Sequence, residues 1–354
     1  MRTEITLFLG IFSVMALSNA IVPVLPAFAA GSAWSGAVYS AYFLGAFLST
    51  LPAGILSDRY GRVAIMRAGL AVTVLSGALL AITTTAVPAV AVRLVEGLGA
   101  GLFVAPAMSL VNTGPDHGRQ SGYLMALLNA GLVLGLVGAG LLASAFREPV
   151  SGIVLFTALS AIPAASSFLV REPQAAPAPA GRELPAFLSL VREHRGIWYS
   201  SLVLVGITGV VTSLYPKFSG AAPDLLGLWI AGMSVATILA VLLISRFRFD
   251  EILAIQISAV LMVAGVIISY LSPAGFLVLG FLAGIVMIAQ MAFLSRVRER
   301  QGTAMGLFTT TSYLGMAVLP FIAGIIADAA GFFVAFVVTA IAAVTVVLAV
   351  RERG

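Results

Sequence analysis

Residues 54 to 62 read Gly54-Ile55-Leu56-Ser57-Asp58-Arg59-Tyr60-Gly61-Arg62. One aspartate, two arginines and two glycines share this short stretch. On either side the chain is apolar for about 20 residues, the length that crosses a bilayer as a helix. A charged turn between two such runs sets the pattern for the chain. Runs of this size recur at 5–29, 33–56, 64–85, 87–111, 120–145, 150–170, 197–217, 224–245, 250–271, 274–294, 303–327 and 330–350. Helices are expected, because backbone polar groups in lipid must be bonded within the protein. A barrel would alternate polar and apolar residues, and these runs do not. The expected fold is an all-α integral membrane protein with twelve transmembrane helices.

Composition agrees. The 354 residues are 60% hydrophobic and 9% charged, with a mean hydropathy of +1.10. A soluble domain carries about 25% charged residues, so too little charge is present to coat a soluble surface. With no cysteine, disulfides, iron–sulfur clusters and thiol chemistry are excluded. His117 and His194 lie far apart in polar connectors, which speaks against a histidine metal site; no cofactor is expected. Arg2, an apolar core and Ser18-Asn19-Ala20 resemble a signal peptide. Retention as a first helix is expected, because the apolar run continues through Pro23 and Pro26 to Ala30.

The longest polar break, Arg171 to Arg195, contains Pro173, Pro177, Pro179 and Pro185. Proline and alanine favour an extended or disordered linker, with a short amphipathic helix at 184–194. This divides the chain into a six-helix bundle (1–170), a linker (171–195) and a second six-helix bundle (196–354). If the N-terminus is cytoplasmic, sixteen of the nineteen basic residues fall on the cytoplasmic side, as the positive-inside rule requires. Arg147 and Lys217 fall outside, and Arg93 within a helix. Both termini are then cytoplasmic, and the net charge of +5 faces anionic headgroups rather than nucleic acid. The halves echo each other: Gly122, Gly131, Ala139 and Gly140 recur 184 residues later as Gly306, Gly315, Ala323 and Gly324. The fifth and eleventh helices would be counterparts in two pseudo-symmetric repeats.

These features resemble the major facilitator superfamily (MFS). Its loop motif, G-x-L-x-D-R-x-G-R after the second helix, matches Gly54, Leu56, Asp58, Arg59, Gly61 and Arg62 at every fixed position. A second motif, an arginine leading a glycine-rich run in the fourth helix, matches Arg93 to Gly101. The antiporter motif of the fifth helix, G-x-x-x-G-P-x-x-G-G, is met by Gly131, Gly135 and Gly140, with Leu136 in place of proline and Ala139 in place of glycine. The resemblance implies a secondary active transporter at the cell membrane, working as a monomer on a small-molecule solute. Drug or metabolite efflux against protons is the form it suggests; a facilitator or importer, or a non-transporting receptor, is the alternative. It implies for the loop motif a latch that closes the cytoplasmic side by meeting the eleventh helix at Gly302 to Gly306. A charged turn that only fixes orientation is the plainer reading.

Arg93 and Glu96 lie three apart and share a helix face. Ionisable residues within the membrane are functional candidates. Proton uptake by Glu96, tuned by Arg93, stands beside a permanent ion pair or an arginine that snorkels to the interface. Gly97, Gly101, Gly131, Gly135, Gly140 and Gly315 suit close helix packing. Asn19, Asn129, Thr208, Thr212, Gln290 and Tyr313 are candidates for a weakly polar solute cavity, each weighed against an ordinary interhelical hydrogen bond. Met262, Met287, Met291 and Met316 would add adaptable apolar surface. The first and seventh helices carry no mid-depth carboxylate and no basic cluster is present, so cationic, phosphorylated and dicarboxylate cargo are disfavoured. Nucleophile, metal and acid–base groups do not cluster at one depth, so an enzyme is not expected. No channel-like repeated polar signature occurs, and no G-x-x-x-x-G-K-[ST] that would bind ATP.

Overall fold

In a computed structural model, residues 5–112, 117–170, 190–247, 249–295 and 301–350 are described. Among them, eleven helices are long and apolar enough to cross a bilayer, Ser151–Ser167 is a shorter apolar helix, and no strand occurs. In chain order they are α1 (Thr6–Phe28), α2 (Ser32–Tyr60), α3 (Arg62–Ala81), α4 (Ala86–Asn112), α5 (His117–Phe146), α6 (Ser151–Ser167), α7 (Arg195–Ser219), α8 (Pro223–Ile244), α9 (Glu251–Leu271), α10 (Ala274–Ser295), α11 (Gln301–Ala330) and α12 (Phe332–Ala349). Each coincides with one of the twelve expected runs. Most of the linker, 171–189, lies outside the described residues, as does most of its expected helix; Leu190–Glu193 are helical.

Local chemistry explains the breaks. In α1 the regular α-helix ends at Ala20, a single tight turn follows at Val22–Val24, and the chain resumes at Leu25–Phe28. Pro23 and Pro26 cause this, since proline cannot donate to the preceding turn. The charged stretch is tighter than the apolar runs suggest. α2 continues to Tyr60, and Gly61 alone, at φ 95°, separates it from α3. Gly331, at φ 89°, joins α11 to α12 in the same way. A residue with a Cβ would be strained at either elbow.

The helices pack as two units. The first comprises Met1–Ala30, Ala41–Pro179 and Ser219–Ala231. Its core gathers Ile11, Val14, Met66, Leu70 and Phe103. Glycines bring backbones together throughout: a Cβ on Gly69 would lie 2.6 Å from the Phe103 nitrogen, and one on Gly99 3.0 Å from that of Thr73. Arg67 on α3 donates from Nε to the Ser167 carbonyl (2.9 Å) and from Nη2 to that of Val170 (2.6 Å), with its guanidinium 5.5 Å over the Phe168 ring. It thereby adds a second donor to the Ser167 carbonyl, which also accepts from the Val170 nitrogen at 3.1 Å, and supplies one to the Val170 carbonyl just beyond the end of α6.

The second unit comprises Gly31–Ser40, Ala180–Phe218 and Gly232–Gly354. Here α7 and α11 meet through Gly206 and Gly315 and the Ser201–Ser312 hydroxyl pair at 2.8 Å. Thr237 of α8 donates to the Gly280 carbonyl of α10 at 2.9 Å. An aromatic cluster joins helix ends: Phe218 stacks on Tyr270 at 4.9 Å and meets Phe336 at 5.5 Å. Gln256, the sixth residue of α9, donates to the Val350 carbonyl at 2.6 Å. Arg67 is likewise the sixth residue of α3, so both repeats tie down their last helix from the same position. Arg67→Ala should destabilise the protein by about 1–2 kcal/mol, more than Arg67→Lys, as read by thermal unfolding in detergent. Equal melting of Arg67→Ala and wild type would remove this anchor.

Candidate functional site

The site with the most unusual chemistry lies in the first unit. Arg93 and Glu96 occupy consecutive turns of α4, and their side chains are each only 1% exposed. Arg93 Nη1 donates to Glu96 Oε2 at 2.8 Å. Nη2 donates to the Ser18 carbonyl at 3.0 Å, and the guanidinium lies 4.5 Å over the Tyr42 ring. So α1, α2 and α4 all contribute. The Ser18 carbonyl belongs to the last turn of the α-helix that ends at Ala20, where the regular intrahelical donors run out. The end of the α-helix at Ala20 thus leaves an acceptor for a buried arginine. Tyr42 supplies a cation–π face, worth most where water is excluded.

Arg93 is therefore enclosed and does not snorkel. Burying an ion pair is expensive, and it holds only if the charges satisfy each other and their neighbours. Here satisfaction is incomplete: Glu96 Oε1 and Arg93 Nε are buried without a hydrogen-bond partner. One carboxylate oxygen grips the guanidinium while the other is left to accept a proton, a water or a hydroxyl. The sequence marked Arg93 and Glu96 but not Ser18 and Tyr42. The only signal for Ser18 was the pair of prolines following it.

The packing glycines do close work. A Cβ on Gly97 would strike the Tyr42 carbonyl, and one on Gly45 the Leu94 carbonyl. Gly101 faces the Ser49 side chain, Gly131 and Gly135 the carbonyls of Phe12 and Ala16, Gly140 that of Pro223, and Gly315 that of Leu202. In the loop motif, Gly54 faces open space, Arg59 lies 5.3 Å over the exposed Tyr60 ring, and Arg62 opens α3. The Asp58 side chain, like those of Gln301 to Thr303, lies outside the described residues.

The cavity candidates divide between the units. In the first, Asn19 donates to the Leu132 carbonyl of α5 at 3.1 Å, and Asn129 to the Met125 carbonyl of its own helix at 2.8 Å. In the second, Gln290 is fully buried and donates to Ser200 Oγ at 2.8 Å, with its Oε1 unpartnered. Thr208 bonds the Val205 carbonyl at 2.7 Å and approaches Met316 Sδ at 4.0 Å. Thr212 is buried with its hydroxyl unpartnered, and Tyr313 is half-buried. Met262 belongs to the core, whereas Met287, Met291 and Met316 are half-buried. No group of three metal-ligating side chains occurs among the described residues.

The sequence pattern of the Major Facilitator Superfamily matches residues 7–296. The chain belongs to that superfamily. As a superfamily member it is a multi-pass membrane transporter and not an enzyme. A comparison with curated protein sequences found no match. Among solved structures, it is similar to the nucleoside transporter NupG, with a TM-score of 0.73 and 16% identity over 98% of this chain and 97% of that one. It is also similar to the human organic anion transporter MFSD10 (TM-score 0.67, 17% identity, 99% of both chains). A bacterial homolog of the human lysosomal transporter Spinster aligns with a TM-score of 0.71 and 15% identity, over 99% of this chain and 93% of that one. At such identities the likeness is one of fold. The MFS fold accounts for the twelve helices and for the position of the loop motif between α2 and α3.

Proposed function

We propose that this MFS transporter moves a small neutral or amphipathic solute by alternating access, as proton-coupled efflux across the cytoplasmic membrane, with both termini cytoplasmic. The protein would work as a monomer, with residues 1–170 and 196–354 as the two bodies that rock. One observation carries the coupling: a fully enclosed Arg93–Glu96 pair whose Glu96 Oε1 has no partner. A proton arriving at Oε1 would neutralise the carboxylate and loosen its hold on Arg93, leaving that cation to Ser18 and Tyr42. Because these belong to α1 and α2, proton occupancy would act on helix packing. Asn129, Thr208, Thr212 and Tyr313 are the proposed solute contacts near mid-depth. Asn19 and Gln290 are proposed to serve chiefly as interhelical ties. Asp58, Arg59 and Arg62 are proposed to form the cytoplasmic gate.

The mutual satisfaction of Nη1 and Oε2 favours a second reading, a static pair in a facilitator without coupling. Counterflow in proteoliposomes separates the two, with uridine as a neutral polar probe and chloramphenicol as a neutral amphipathic one. An imposed pH gradient should stimulate flux of at least one probe in the wild type, and Glu96→Gln should abolish that stimulation while retaining gradient-independent exchange. Stimulation that survives Glu96→Gln leaves the facilitator.

A further inference from the structure

The repeat spacing that relates α5 to α11 extends beyond the glycines. At the same spacing, Leu136, Gly140 and Ser144 on α5 correspond in position to Pro320, Gly324 and Asp328 on α11, with only the glycine identical. Each set meets the start of a helix from the other half of the sequence. On α5, Gly140 abuts the Pro223 carbonyl, and Gly227 of α8 abuts the Leu136 carbonyl. On α11, a Cβ on Gly324 would lie 2.5 Å from the Ser32 carbonyl, and one on Gly36 of α2 would lie 2.5 Å from that of Pro320. Gly36 and Gly227 each stand four residues after the first residue of their helix. Two contacts with the same plan are thus built from different residues, the first within the first unit and the second within the second unit.

The polar residue at the end of each set completes the grip. Ser144 Oγ donates to Asp224 Oδ1 at 2.9 Å and accepts from the Asp224 nitrogen at 3.2 Å. Asp328 accepts from the Ser32 nitrogen through Oδ1 and from the Ala33 nitrogen through Oδ2, both at 2.8 Å. These N–H groups belong to the first turn of α2, where no intrahelical acceptor exists, and a carboxylate there also meets the positive end of the helix dipole. Asp328 makes two charge-assisted bonds, and Ser144 one such bond and one longer neutral one. Charge-assisted bonds are about twice as strong.

We propose that Ser144 and Asp328 are equivalent latch residues of the two repeats, holding the starts of α8 and α2 on the membrane face opposite the N-terminus, and that the Asp328 latch is the stronger and the last to release. The inference rests on the alternating-access reading, in which this face opens once per cycle. Opening must then break both grips, and the weaker α5–α8 grip yields first.

Because the chain has no cysteine, single-cysteine reporters test this without a known solute. Ser35→Cys reports from a fully buried position behind the α2 start. Gly306→Cys reports from an open position near the start of α11, the segment expected to meet the loop motif when the opposite face closes. Both are labelled with a membrane-impermeant maleimide in purified, monodisperse protein. Asp328→Ala should raise the rate at 35 and lower it at 306, each by about tenfold. Asp328→Asn, which keeps one carbonyl acceptor, should fall between, and Ser144→Ala should change the 306 rate about threefold. A larger effect from Ser144→Ala overturns the order of release. A rise at 35 with no fall at 306 is local fraying and overturns the latch, provided that a wedge, Gly36→Trp, does lower labelling at 306. If the wedge also leaves 306 unchanged, the two faces are not coupled, and the alternating-access reading fails and takes the latch with it.

Discussion

Arg93→Ala is expected to destabilise the folded transporter by about 3–5 kcal/mol, the usual consequence of stranding one charge of a buried pair. The loss should show as a clear fall in melting temperature in detergent, along with loss of transport. The Glu96 carboxylate, 1% exposed, would keep its desolvation cost and lose the guanidinium that offsets it. The Ser18 carbonyl would also lose its donor. The double variant Arg93→Leu/Glu96→Leu separates structure from coupling. Replacing a buried pair by apolar groups is often neutral or stabilising, so it should melt near the wild type while showing no stimulation by a pH gradient. If Arg93→Ala melts within a degree of the wild type, the pair is not enclosed as described.

Gly97→Leu should have the largest structural effect of any single change considered. A Cβ at 97 would strike the Tyr42 carbonyl, and the reciprocal contact sets Gly45 against the Leu94 carbonyl. Backbone cannot swing aside as a side-chain tip can, so α2 and α4 would have to separate. Even Gly97→Ala should cost about 1–3 kcal/mol, the typical range for overpacking, and the leucine variant should not be recovered folded. Because Tyr42 also covers Arg93 at 4.5 Å, surviving protein should hold the Arg93–Glu96 pair less firmly. Gly54→Leu and Gly122→Leu are the controls, since an added Cβ at either meets open space. Similar yields for Gly97→Leu and Gly54→Leu would refute the close α2–α4 contact.

The helices were legible because lipid demands long apolar runs with internally satisfied backbone. The loop motif was legible because its glycines and charges interrupt those runs at fixed spacing. Helix faces were not legible. A helix in a membrane has lipid on one side and protein on the other, both apolar, so no periodicity marks which side a polar residue occupies. Gln290 and Thr208 therefore read alike in sequence, although one is bonded to Ser200 on a neighbouring helix and the other to its own backbone. Ser18 stayed hidden for a different reason. Its contribution to the Arg93 site is a carbonyl in the last turn of a helix that ends at Ala20, and backbone acceptors leave no mark in residue identity. Ser144 and Asp328 escaped notice because a hydroxyl and a carboxylate do not look like a repeat until the geometry pairs them.

The two single-glycine elbows bear on how the bilayer loads this machine. Gly61 and Gly331 join α2 to α3 and α11 to α12 with no slack, so tilting either leading helix must drag its follower through lipid. The followers present apolar faces to that lipid: Leu75 and Leu79 on α3, Phe333, Ile341 and Leu348 on α12. If the proposed rocking tilts these helices, membrane thickness and viscosity would act as friction on the transport cycle. The turnover rate should vary with acyl-chain length even where solute affinity does not.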